Sequence, residues 1–171
     1  MEKAVKEQPD YVLFNGSVGA LTGENSLKAN VGEPVRLFVG NGGPNLVSSF
    51  HVIGEIFDKV NMAGGSAENH NVQTTLIPAG GAAITQFKVD VPGELVMVDH
   101  SIFRAFNKGA LGIIDVKGAE DEKIYSGKVR EDVYLPEGSA AQSLGKTNAP
   151  APVVTAANKQ ERIKMGESVY A

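Results

Sequence analysis

Short apolar stretches, each cut off by glycine or proline, run through the first two thirds of the chain. Residues 11–14 open the series after Pro9-Asp10 and stop at Asn15-Gly16, a turn-forming pair. Residues 34–39 alternate, with Val35, Leu37 and Val39 on one side and Arg36 on the other, as in a sheet wet on one face. In the next stretch, 48–57, Phe50 and Val52 point one way and His51 and Ile53 the other. Stretches 72–77, 83–90, 94–101 and 111–116 complete the strands. Residues 19–28, 40–45 and 61–71 are rich in Gly, Asn and Ser and predict loops. The only helical signal inside this region is near 103–108. Short strands at such spacing, without helical periods between them, predict an all-β sandwich or small Greek-key barrel.

The pattern changes after Gly118. Residues 1–10 are a charged lead, 11–118 form the β domain, and 119–135 are a charged, extended C-terminal arm. Residues 136–157 are rich in Pro, Ala, Gly and Ser and predict a flexible linker. Residues 158–171 predict the start of a helix capped by Asn158, with Ile163 and Val169 as a sparse apolar face. So short a helix is marginal in water and is expected to belong to something that follows it.

Composition narrows the chemistry. The chain of 171 residues fits one core of ordinary size plus attachments. Net charge is -4 without a basic run, which argues against nucleic acid as partner. No apolar run is long enough to span a bilayer, and the charged stretch 1–7 lacks the apolar segment of a signal peptide. Because the chain has no cysteine, disulfides, zinc–thiolate sites, thiol nucleophiles and blue-copper centres are excluded within it.

Three histidines are left to consider. His100 continues the row of Val96 and Val98 on one face of its strand, where strand gives way to helix or loop. A lone histidine on an apolar face is ordinarily a core residue with its ring satisfied, and the same holds for His51. His70, between two asparagines, is expected to be a surface residue without a role. Asp99 and Arg104 flank His100 and either orient that strand or form a rim ion pair worth little. The glycine-rich stretch 40–45 has no helix after it, so a phosphate loop is not expected.

Three separated motifs shift the balance. Phe50-His51-Val52-Ile53-Gly54-Glu55, the run from Val72 to Gly81, and Val98-Asp99-His100-Ser101-Ile102-Phe103-Arg104-Ala105-Phe106 occur in this order. Together they resemble the second cupredoxin domain of copper-containing nitrite reductases, across about residues 5 to 135, nearest to the outer-membrane neisserial group. The tail 161–171 resembles the first helix of a class I cytochrome c domain.

The resemblance implies a cupredoxin-like fold and a role in reducing nitrite to nitric oxide at a type 2 copper between subunits of a homotrimer. His100 matches the copper ligand that the second domain supplies to its neighbour. His51 matches the active-site histidine that does not bind metal but hydrogen-bonds around nitrite. Ile53 matches the apolar residue that crowds the substrate, and Thr74 a threonine that helps fix the catalytic histidine. Gln73 stands where many family members carry glutamate, so an acidic role there does not transfer. The first cupredoxin domain of the same and neighbouring subunits, nitrite, and a cytochrome c or cupredoxin electron donor are the implied partners. The implied location is periplasmic or outer-membrane-associated.

The chain departs from the family in one respect. The family's type 1 copper requires a cysteine of the first domain, which has no counterpart here. The expectation is a fragment or one piece of a split enzyme, inactive alone, with type 1 copper on the first domain and a haem c on a domain beyond the tail. A copper-free cupredoxin-like module for assembly or electron-carrier docking is the alternative.

Overall fold

The computed structural model describes residues 1–124. A short helix α1 (Glu2–Val5) and a 3-10 turn (Gly23–Asn25) precede the strands. These are β1 (Leu27–Asn30), β2 (Pro34–Gly40), β3 (Ser48–Ile53), β4 (Phe57–Met62), β5 (Asn69–Val72), β6 (Thr74–Ile77), β7 (Ala82–Lys88), β8 (Gly93–Asp99) and β9 (Leu111–Lys117). Helix α2 (Ile102–Lys108) lies between β8 and β9. The strands form a five-stranded sheet, β1-β9-β8-β3-β6, and a four-stranded sheet, β2-β7-β4-β5. Among the described residues only the β1–β9 pair is parallel.

Apolar side chains from both sheets meet in a shared core. Phe50, Val52 and Met97 come from the five-stranded sheet, Phe57, Val60 and Phe87 from the other. The Phe50 and Phe57 rings stack at 6.0 Å, and Phe57 meets Phe87 at 6.0 Å. Each such side chain contributes roughly 1.5–3 kcal/mol through its burial. The all-β reading is therefore right, and strands β2, β7, β8 and β9 and helix α2 fall where the pattern put them.

Several local expectations are corrected. Residues 11–14 join no ladder; Val12 N donates to Lys108 O at 3.1 Å. Phe14 is held by side-chain packing, edge-on to Phe50 at 6.1 Å. The expected loop 19–28 contains the start of β1, whose partner β9 is distant in sequence. The expected single strand 48–57 is broken at Gly54, which takes φ 103, a conformation open to glycine. The expected loop 61–71 holds only over 63–68, the turn of a hairpin whose arms β4 and β5 take in its two ends. Buried Asn61 closes it, its Nδ2 donating to Gly65 O at 3.0 Å and Ala67 O at 3.3 Å. His70 is exposed on β5, as a surface residue should be.

The run 72–77 is also two strands. The chain leaves the four-stranded sheet with β5 and enters the five-stranded sheet with β6, and Gln73 is the crossing residue. Of the arm, only its first residues, 119–124, are described; the rest of it, the linker and the tail helix lie outside the described residues.

Candidate functional site

The face of the five-stranded sheet that looks away from the core carries the candidate residues. In the β3–β8 ladder His51 is opposite Val98 and Ile53 opposite Val96. In the β3–β6 ladder His51 is opposite Thr74. His51 thus sits on a central strand flanked on both sides, and it is only 7% exposed. Ile53, two residues along the same face, is 39% exposed. Thr74 is exposed.

His100 follows directly on β8. The strand ends at Asp99, and His100 lies in the bend before α2, exposed, with its amide donating to Ser49 O at 2.7 Å. The sheet therefore holds its backbone while its ring is turned outward. The two imidazoles meet, ring centroids 5.4 Å apart at an interplanar angle of 55°. Helix α2 packs on β8 and is closed by Gly109 at φ 104, where an added Cβ would meet Val18 Cγ2 at 2.8 Å. That tight return brings Leu111 alongside Val98 and completes the support beneath His100.

The ring of His51 is fixed by the main chain. Its Nδ1 lies 2.6 Å from Gln73 O. A carbonyl oxygen only accepts, so Nδ1 carries the proton and donates. Nε2 is then the nitrogen left to exchange a proton with anything placed beside it. No hydrogen bond joins Thr74 to His51 among the described residues; Thr74 occupies the neighbouring position, and the bond comes from the residue before it. Sequence reasoning missed this use of Gln73 because a backbone carbonyl leaves no mark on side-chain identity. The crossing between sheets at Gln73 is the signal that could have found it.

Asp99 and Arg104 are not a rim pair. Asp99 is 1% exposed, and its Oδ2 lies 3.2 Å from Arg104 Nη1. Its Oδ1 accepts from Ser49 N at 3.2 Å and Ser101 N at 3.0 Å. Arg104 Nη1 also donates to Val47 O at 2.6 Å.

The donor chemistry sets what metal these residues could hold. Imidazole suits copper in both oxidation states. His51 has committed Nδ1 to a carbonyl, whereas the His100 ring makes no hydrogen bond among the described residues. Those residues contain no group of three His, Cys, Asp or Glu side chains able to hold a metal ion. An exposed imidazole such as that of His100 is chemically suited to bind copper, but the described residues alone do not assemble a metal site.

No family model matches the chain. It is similar to the copper-containing nitrite reductase of Neisseria meningitidis serogroup B, with 64% identity over 140 residues, 82% of this chain and 36% of the relative. It is similar to that of Neisseria gonorrhoeae at 62% over 141 residues, again 82% and 36%. Among solved structures it resembles copper nitrite reductase from Nitrosomonas europaea, with TM-score 0.64 and 31% identity over 75% of this chain and 46% of that one. The Cu-containing nitrite reductase from Thermus scotoductus gives TM-score 0.65 and 30% identity over 68% and 27%.

Two packed sheets and these structural neighbours define a cupredoxin-fold domain. Within that class it is a domain of the copper-containing nitrite reductases. The chain spans about a third of the length of the curated relatives it matches, 36% for the neisserial enzymes.

Proposed function

We propose that this chain supplies one copper ligand, His100, and one proton-transferring histidine, His51, to a type 2 copper centre where nitrite is reduced to nitric oxide. The observation that carries the reading is the His51–His100 pair, rings 5.4 Å apart, with His100 exposed and His51 aligned by Gln73 O. The remaining imidazole ligands come from the first cupredoxin domain of a neighbouring subunit in a homotrimer. The reaction takes nitrite, one electron and two protons to nitric oxide and water. When bound, copper supplies Lewis acidity and passes on the electron. This chain's residues do the rest. With Nδ1 held by the carbonyl, Nε2 is the nitrogen of His51 that exchanges the proton, beside His100. Ile53, on the same strand face, supplies an apolar wall that limits how the anion sits. Thr74 borders the ring.

The same reading assigns the type 1 copper to the first domain, a cytochrome c or cupredoxin as electron donor, and a periplasmic or outer-membrane-associated location. A haem c would belong to a domain beyond the tail. No helix among the described residues is long and apolar enough to cross a membrane.

The test is copper binding by the chain alone and then with the first cupredoxin domain of a neisserial relative. Copper retained only in the mixture, and lost with His100→Ala, is the expected result, as is an isolated chain without nitrite reductase activity. Tight copper in the isolated chain would place the site elsewhere. If no copper binds in either case, the domain is a copper-free docking or assembly module.

A further inference from the structure

We propose that Asp99 is a positioning residue for His100: its buried carboxylate fixes the bend that turns the imidazole out of the sheet. The inference rests on His100 being a metal ligand, as argued above. An aspartate at the end of a strand ordinarily faces water. This one points into the protein, on the core side of β8, with its side chain 2% exposed. Oδ1 reaches past His100 to the amide of Ser101, 3.0 Å, a local turn built by a side chain standing in for backbone. The same oxygen takes the amide of Ser49 at 3.2 Å, and the carbonyl of Ser49 takes the amide of His100 at 2.7 Å. His100 is therefore held on both sides by groups that share one carboxylate. Oδ2 is held in turn by Arg104 at 3.2 Å, whose Nη1 is anchored to Val47 O at 2.6 Å. Arg104 comes from α2 and Val47 from the approach to β3, so three elements converge on the carboxylate. Hydrogen bonds to an ionisable carboxyl are stronger than neutral ones, and here three of them converge on one side chain. Loosening them frees the His100 backbone without touching its ring, and partners of metal ligands typically change metal affinity 10- to 100-fold when removed.

Two measurements test this. On the 171-residue chain alone, Asp99→Asn should speed amide hydrogen exchange at His100 and Ser101 about tenfold or more. Val96 and Met97, in the middle of β8, should exchange as in the parent; a purely structural role would instead loosen the whole strand. In the chain complemented with a neisserial first domain, copper affinity should fall about 10- to 100-fold. Arg104→Ala keeps the carboxylate and serves if Asp99→Asn does not fold; it should move both readouts the same way by less, and Arg104→Lys should restore part of the loss. Unchanged exchange at His100 and Ser101, or copper affinity within twofold of the parent when His100→Ala abolishes binding, would overturn the proposal. Copper binding indifferent to His100→Ala would sink the ligand reading instead, and exchange would still decide whether Asp99 fixes the bend.

Discussion

At the Ser48 end of β3 the carboxylate of Asp99 is buried and accepts from two amides and an arginine. Two residues beyond the other end, Glu55 is half-buried, and its charged neighbours are Asp90 and Asp58. The two groups are chemically alike and oppositely provided for. Burial penalises a charge in both places. At Asp99 two backbone amides and Arg104 surround the oxygens, so the buried group is fully provided with donors and organises backbone. At Glu55, burial and then the two like charges push the pKa up to about 7. That carboxyl is therefore only partly ionised near neutral pH. A buried acid near a candidate site is therefore not informative until its donors are counted.

The largest effect that could break this contrast is removal of the Asp99 carboxylate. Asp99→Ala orphans the Ser49 and Ser101 amides and leaves Arg104 without its anion, and should lower unfolding free energy by about 3 kcal/mol. Glu55→Ala, by contrast, relieves repulsion and should cost well under half as much at pH 7. Urea unfolding of both variants checks the pair. Equal losses would mean that the Asp99 donors do no more than replace water.

The sequence announced the Asp99 side of this comparison only in part. The apolar row of Val96 and Val98 placed His100 at a strand end, and the histidine pair His51 and His100 could be named from motifs. Strands with clean alternation, such as β2 and β7, were legible because one face is dry. The hairpin β4–β5 was not: buried Val60 and Asn61 are adjacent, breaking the period of two, and Asn-His-Asn in β5 resembles a loop. Residues 11–14 failed in the other direction, apolar enough for a strand but pinned by packing of Phe14. The parallel β1 depends on a partner some 87 residues away, as Lys28 to Asp115 shows, and no local window contains it. Asp99 itself was ambiguous because sequence does not say which way a strand-end carboxylate turns. Gln73 was invisible for a different reason: its contribution is a carbonyl every residue has.

A smaller and sharper test uses pH. A carboxyl whose folded pKa lies above its unfolded value binds more protons when folded, so its contribution to stability falls as pH rises. For Glu55 the fall should run from about its ordinary value of 4.5 up to about 7 and then level off. Glu55→Gln removes that slope, so the variant should match the parent below pH 4.5, gain on it through the window, and keep a constant lead above it. Urea midpoints measured across this range would show it. A lead that grows on the acid side would contradict the electrostatic account of this end of β3.

The smallest expected effect comes from a third carboxylate, Asp115 on β9, which has the donors of Asp99 but not its burial. Lys117 at 2.9 Å and then Lys28 at 3.2 Å hydrogen-bond it and hold its pKa below the ordinary 3.8. Here the sign reverses. A folded pKa below the unfolded one contributes stability that is present above about pH 3.8 and is lost as pH falls through the lowered value. Lys117→Met should raise the Asp115 titration midpoint, read by carboxyl carbon NMR, with only a slight change in unfolding midpoint at neutral pH because the lysines are exposed and screened. If the Asp115 midpoint stays put in both Lys117→Met and Lys28→Met, donors alone do not set carboxylate charge on this fold. Burial would then have to explain Asp99 as well as Glu55, and the distinction between the two ends of β3 would collapse.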